Sequence, residues 1–403
     1  MNTIIFDSIR LLSGFVIWIL CFAAVAQTPS LPEAITDPRP QPFVHPGCLH
    51  NLDDLDRIKR NVEARVEPWS SAWRAFLKCP LLVTNYAPHP FPAAGRDKGY
   101  NPTKDALAND MTAAYYDAIA WYVTGNKAYA EKAVQIMNEW SRTCKVINGS
   151  DAMLAAGIYG YKVANAAEII RYTYKEWKPE DIVRFEAWLK DVWYPVVKNP
   201  GDANWGTCCL PTILSIGVFC DDHAIFTSGI ELYKNGGNSR ALFGLTQYIS
   251  ATGQSNESGR DQIHAQGGVG HLAETAEIAW KQGIDLYSIA DNRLLKGLEY
   301  MAKYNLGYDD EPYDSAFHRA TMGPWGKISA QGRGQFSPVY EMVWNHYVNR
   351  RHIPAPYTQT VAHKYRPEPW SVDHPGIGTL TFTLVPDLEA PSPNQPASDL
   401  MKK

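Results

Sequence analysis

From residue 51 onward the chain repeats one pattern: apolar residues at helical spacing, a short polar break, then apolar residues at helical spacing again. Residues 109–124 (NDMTAAYYDAIAWYVT) show it well and stop at Gly125, a helix terminator. The same reasoning predicts helices over 127–142, 154–175, 179–196, 205–219, 222–235, 262–282, 289–305 and 336–350. Pro179 suits the first turn of its helix. Asn51 or Asp53 caps an earlier helix through Leu55, Ile58 and Val62. Strand signals are scarce. Residues 379–384 (TLTFTL) alternate and read as a minor β element near the C-terminus, and 245–250 is a second, weaker strand signal.

The breaks have two lengths. Short ones at 125–126, 176–178, 220–221 and 283–288 join helices into antiparallel hairpins. Longer ones at 85–108, 143–153, 197–204, 236–261 and 306–335 separate the hairpins. A row of helical hairpins closes into a toroid with one helix of each pair inside. Strict alternation then puts every long link on one rim, where a rigid scaffold carries its site. The expected fold is all-α, an incomplete (α/α) toroid.

The N-terminus differs. Arg10 precedes an apolar run over 11–25 that ends in Ala24-Val25-Ala26, the pattern of a signal peptide spanning 1–26. A Pro-rich, extended lead-in follows over 27–45, then a catalytic toroid over 46–390 and a flexible tail over 391–403. The mature protein is expected to be secreted or periplasmic, with no membrane span after signal removal. Six of the seven cysteines remain after cleavage, an even number that permits disulfides in an exported chain. None has zinc-ligand spacing. Hydrophobic content of 45% supports a large core. The net charge of −4, with no polybasic stripe, gives nucleic-acid binding no electrostatic support. The 13 Trp and 22 Tyr fill core, and their apolar faces also suit sugar rings.

One rim segment concentrates polar chemistry: residues 256–266, NESGRDQIHAQ, lead abruptly into an apolar helix. Glu257, Arg260, Asp261, His264 and Gln266 crowd about one helical turn. A capping cluster with an Asp–Arg pair accounts for any one of these residues, though less readily for all of them. Asn204, followed by Trp205, stands just ahead of another inner helix, where an N-cap needs no functional explanation. The long link 306–335 offers Tyr308, Tyr313, His318, Arg319, Trp325 and Arg333; the links at 143–153 and 85–108 offer Asp151, His89, Arg96, Lys98 and Tyr100.

Several of these stretches resemble the alginate lyase superfamily of helical-toroid polysaccharide lyases. The matching pieces are HPGCLHNLDDLDRIKRNV (45–62), AIAWYVTGNKAYAEKAVQIMNEWS (118–141), NESGRDQIHAQGGVGHLAETAEIAWKQGIDLY (256–287), DNRLLKGLEYMAKYNLG (291–307) and YEMVWNHYVNR (340–350). The resemblance implies β-elimination on alginate or glucuronan, with an acidic polysaccharide as partner and no metal or other cofactor. It also implies an Asn-His pair at the start of one inner helix, with an Arg and a Tyr nearby. Asn204 matches the Asn, but Trp205 stands where the His is expected, so His264 takes that role. Arg260 is the implied Arg, with Arg319 as competitor. Tyr313 is the implied Tyr, with Tyr304 second.

In that scheme Asn204 and Arg260 neutralise the uronate carboxylate, and either His264 removes the C5 proton and Tyr313 protonates the leaving O4, or Tyr313 does both while His264 helps to hold the carboxylate. Arg319, Gln266, Glu257, Tyr304 and Trp205 are expected to bind substrate. Two other classes fit the pattern less closely. An inverting glycoside hydrolase needs two opposed carboxylates, for which Asp110, Asp151, Glu257 and Asp261 are available. A non-catalytic glycan-binding protein needs stacking aromatics and less of the polar cluster.

Overall fold

The structure, a computed structural model, describes residues 41–386. The signal peptide (1–26), most of the lead-in and the tail (391–403) lie outside the described residues. The chain divides into two units, Met1–Gln41 and Pro42–Lys403, and the second holds the helices.

Helices α1 (Leu52–Glu63) and α2 (Trp69–Phe76) come first. Three hairpins follow. The first pairs α3 (Asn101–Thr124) with α4 (Lys127–Thr143), and the second pairs α5 (Ala152–Thr173) with α6 (Pro179–Trp188). A wide turn over Leu189–Trp193 continues α6 into α7 (Tyr194–Val197). The third pairs α8 (Asn204–Thr207) and α9 (Cys209–Phe219) with α10 (His223–Asn235). After α11 (Leu245–Tyr248) comes a fourth pair, α12 (Gln262–Lys281) with α13 (Ile289–Asn305). Helices α14 (Tyr340–Trp344), α15 (Pro356–Lys364) and α16 (Gly378–Thr381) complete the series.

Burial separates inner from outer helices. α5 is buried almost without interruption from Ala155 to Ile170, because one side meets its outer partner and the other meets the ring's interior. α4 instead buries Ala130, Ala133, Ile136, Met137 and Trp140, a single face, and leaves Lys127, Glu131 and Gln135 to solvent or only partly covered. The inner helices neighbour one another in the order α3, α5, α9, α12, α14. α16 and α1 bridge α14 back to α3. Sharp stops make the hairpins. Gly125 ends α3 in the left-handed conformation (φ 66°), and the Asn126 side chain accepts from Ala128 N at 3.1 Å to start α4.

The long links share one rim, as the alternation requires. Ala93–Ala94 (β1) pairs in parallel with Val146–Ile147 (β2), joining two links, and the Leu242 N–H donates to Asp202 across two more. Residues 379–384 are a helix and its exit, not a strand, and 245–248 is helical. The hydroxyls of Thr381 and Thr383 donate to the carbonyls of Ile377 and Thr379, four residues back, a bond that suits a helical turn. All six cysteines of the described residues are free thiols, five of them buried, so the expected disulfides are absent there. Among the described residues no helix is long and apolar enough to cross a membrane.

Candidate active site

The start of α12 sets the geometry. Asp261 caps the helix, one carboxylate oxygen accepting from His264 N at 2.8 Å. Its other oxygen receives the His264 ring Nδ1 at 2.7 Å. Nδ1 therefore carries a proton toward the carboxylate, and Nε2 is the ring nitrogen left for other partners on a side chain 38% exposed. Burial alone would raise the Asp261 carboxyl, but the His264 hydrogen bonds and the Arg260 charge hold it below its ordinary value. Asp261 thus stays ionised and fixes the histidine tautomer.

Behind this pair lies Glu257, fully buried. It receives Arg260 Nη1 at 2.8 Å, Arg319 Nη1 at 2.8 Å, the Tyr248 hydroxyl at 3.1 Å and Asn204 N at 3.2 Å. A buried carboxylate shared by two guanidiniums is a strut, and it fixes Asn204 and Arg260 relative to each other. Arg319 also reaches Asp202 at 3.2 Å and is nearly sealed, so it belongs to the strut and not to the cleft wall. Gln266 is likewise internal, bonded to Gln262, Gln335, Ser337 and Tyr340. Glu257, Arg319 and Gln266, expected to bind substrate, shape the site from behind.

Asn204 begins its helix directly after Ala203, whose backbone lies at φ 56°, ψ −131°. A residue with a Cβ is held there only where its surroundings impose it, and such strain gathers at functional sites. The Asn204 Oδ1 is buried without a hydrogen-bond partner among the described residues. Trp205 is partly exposed beside it. Tyr313 packs against Gly259, but its hydroxyl donates to Trp325 O at 3.0 Å. Tyr304 lies apart on α13, its ring under the Arg333 guanidinium at 4.1 Å.

The opposite side holds groups that sequence reasoning passed over. Tyr159, on α5, accepts from Arg96 Nη1 at 2.9 Å, and burial keeps its hydroxyl protonated by pushing its pKa up. The hydroxyl proton has no protein partner among the described residues. Arg96 also lies 3.4 Å from Asp373. Gly157, two residues before Tyr159 on α5, lets the helix pack directly on Cys208, one turn after Asn204. His374 crosses α12 at Gly270, where a Cβ would stand 2.8 Å from its ring. Its Nδ1 meets Glu274 at 2.7 Å, and the His271 Nδ1 meets the other Glu274 oxygen at 2.8 Å. His271, Glu274 and His374 are the one metal-ligand grouping among the described residues, with donor atoms within 4.8 Å. Two imidazole N–H groups donating to one carboxylate satisfy that trio without an ion. Arg96 was visible as a charged loop residue; Tyr159 and His374 carried no local signal.

Two of the four carboxylates that a hydrolase could draw on are locked inside the protein. Asp110 is fully buried and accepts from Tyr86, His89 N and Trp140, while Glu257 is the internal strut.

Comparison with known proteins identifies the family and the fold. A family model described as Alginate lyase matches residues 83–312. No curated protein matches the chain. Among solved structures, alginate lyase A1-III from Sphingomonas species A1 superposes with a TM-score of 0.63 at 15% identity, covering 82% of this chain and 95% of that one. An alginate lyase from Bacteroides ovatus superposes with a TM-score of 0.57 at 13% identity, covering 85% of this chain and 100% of that one. A Tyr-to-Phe variant of the A1-III enzyme, complexed with a tetrasaccharide, gives a TM-score of 0.61 at 16% identity, covering 82% and 94%. At these identities the superpositions speak for the fold, while the family match spans more than half of the sequence. The chain belongs to the alginate lyase family, and it is a polysaccharide lyase built as an (α/α) toroid.

Proposed function

We propose that the enzyme cleaves a uronate polymer, alginate or glucuronan, by β-elimination at the rim of the toroid. The observation that carries this reading is the Asp261–His264 pair standing beside Arg260 and Asn204. The uronate carboxylate lies against the Asn204 amide and Arg260, which withdraw its charge and stabilise the enolate-like transition state. The N-termini of the inner helices add positive potential at the same rim. His264 Nε2 takes the C5 proton, the C5–H electrons form the C4–C5 double bond, and the C4–O4 bond breaks. O4 leaves with a proton from a tyrosine.

Tyr159 suits that last step better than Tyr313, because its proton is uncommitted and Arg96 stabilises the phenolate left behind. Tyr313 in this reading shapes the rim. Trp205 offers a partly exposed ring for stacking. The mature enzyme acts outside the cytoplasm, in keeping with the signal-like N-terminus and a polymer substrate. Ultraviolet absorbance of the unsaturated product on a panel of pure uronate polymers tests the proposal. His264→Ala and Tyr159→Phe should each lose most turnover while staying folded, and Tyr313→Phe should keep it. New reducing ends without the absorbance would mean hydrolysis and sink the reading.

A further inference from the structure

Beyond the residues matched by the family model, the chain between Glu368 and Gly378 enters the ring. Tyr116 on α3 donates to the carbonyls of Ser371 at 3.3 Å and Pro375 at 2.9 Å. The Ser371 carbonyl also takes the buried Lys162 ammonium at 2.7 Å, from α5. The Gly376 backbone sits at φ 63°, and a side chain there would press on Tyr116 and Ser371, so the turn needs a glycine. The segment is thus anchored by inner-helix side chains.

Within it the Asp373 side chain is 49% exposed, although its neighbour His374 is buried. A side chain that keeps half its surface between inner helices faces the space those helices enclose. Arg96, which Asp373 approaches, lies against Tyr159 and near Cys208, one turn from Asn204. His374 Nε2 lies 3.9 Å from the place a Cβ would take on Gly267, one turn along α12 from His264. The two residues therefore span the floor between the two walls of the candidate active site. Glu274 accepts from Nδ1 of both His374 and His271, which leaves each Nε2 a lone-pair acceptor without a protein partner among the described residues.

We propose that Asp373 and His374 form a hydroxyl-reading subsite for a uronate unit next to the scissile bond. The inference rests on the lyase reading. The floor presents acceptors: the ionised Asp373 carboxylate, held below its ordinary pKa against burial chiefly by the Arg96 charge, and the imidazole Nε2 of His374. Acceptors bind the donor groups of a sugar, its O2 and O3 hydroxyls. A carboxylate on the floor also repels a uronate carboxylate, and so turns it toward Asn204 and Arg260. The subsite therefore selects orientation, and it takes uronates whose ring hydroxyls are free. Esters at O2 or O3 remove the donors and add bulk.

The test compares one uronate polymer before and after chemical O-acetylation, with wild type, Asp373→Ala and His374→Ala, each checked for unchanged melting. We expect the wild type to lose about tenfold or more in kcat/KM on acetylation, the loss of one or more charge-assisted hydrogen bonds. Each variant should raise KM on the free polymer with kcat within about threefold, and should shrink the acetylation penalty. Unchanged KM and unchanged discrimination in both folded variants would overturn the subsite while leaving the lyase intact. If the wild type makes no unsaturated product from any uronate polymer, the lyase reading falls. Titration of tryptophan fluorescence with oligouronates then decides the subsite separately: weaker binding by Asp373→Ala keeps it, and equal binding removes it.

Discussion

Replacing Asp261 by Asn separates two jobs that one carboxylate performs. In the native protein one oxygen caps α12 through His264 N at 2.8 Å and the other holds His264 Nδ1 at 2.7 Å. Asn keeps the cap, because its carbonyl oxygen replaces the first acceptor and Asn is as good an N-cap as Asp. Its NH2 group then occupies the second position and donates to Nδ1. The ring proton must move to Nε2, the atom needed as base. Flipping the amide to avoid this sets NH2 against the His264 N–H and gives up the cap, at about 1 kcal/mol. The substitution therefore removes general-base catalysis, about 10²–10⁴-fold in kcat, or roughly 2.7–5.5 kcal/mol of barrier, while stability falls by less than about 1 kcal/mol. The assay is initial rate by product absorbance at saturating polymer, with melting measured in parallel. A folded Asp261→Asn enzyme that keeps a third or more of kcat would refute the assignment of His264 as base and Asp261 as its orienting partner.

Other residues give further expected outcomes. Asp117 is buried, neither carboxyl oxygen has a hydrogen-bond partner among the described residues, and burial raises its pKa to about 8 from an ordinary value of 3.8. Between those values the folded state holds a proton the unfolded chain has lost, so stability falls as pH rises through that window. Asp117→Asn should flatten this slope, a difference of a few kcal/mol, read by melting at pH 5 and pH 9; parallel slopes would contradict it. Gly270→Ala puts a methyl against the His374 ring and Val339, and should cost about 1–3 kcal/mol by chemical denaturation. Because the six described cysteines are free, reductant should leave the melting temperature unchanged, and thiol titration of unfolded protein should find all six.

The helical ring was legible because its helices are long and strongly periodic. The sequence predicts a helix over 289–305, and the structure has Ile289–Asn305, with a left-handed kink at Ala290, Asp291 and Asn292 before the regular helix. Residues 379–384 misled for a physical reason. Residues 379–383 are all buried and Leu384 is partly so, and the alternating Thr and apolar residues therefore report no solvent-exposed face. The α12 side of the site was readable because Glu257, Arg260, Asp261 and His264 are neighbours in sequence as well as in space. What sequence could not do was separate wall from strut: Glu257 and Arg319 look like ligand-binding charges until their mutual contact appears. Tyr159 lay inside an apolar helix and read as core, and His374 reaches α12 from about a hundred residues away.

The closure of the ring carries a temporal consequence. Arg57 on α1 donates to the carbonyls of Thr381 and Thr383, the latter 326 residues downstream, and the 371–376 segment seats between helices completed long before. Contacts this far apart in sequence form last in assembly, since the chain between them must already be in place. The proposed floor is laid by a segment that follows all five inner helices in the sequence. A nascent chain that stops short of residue 371 holds the proposed base, its carboxylate partner and the arginine strut, yet has no floor for the sugar, so on this proposal competence waits for that segment to seat.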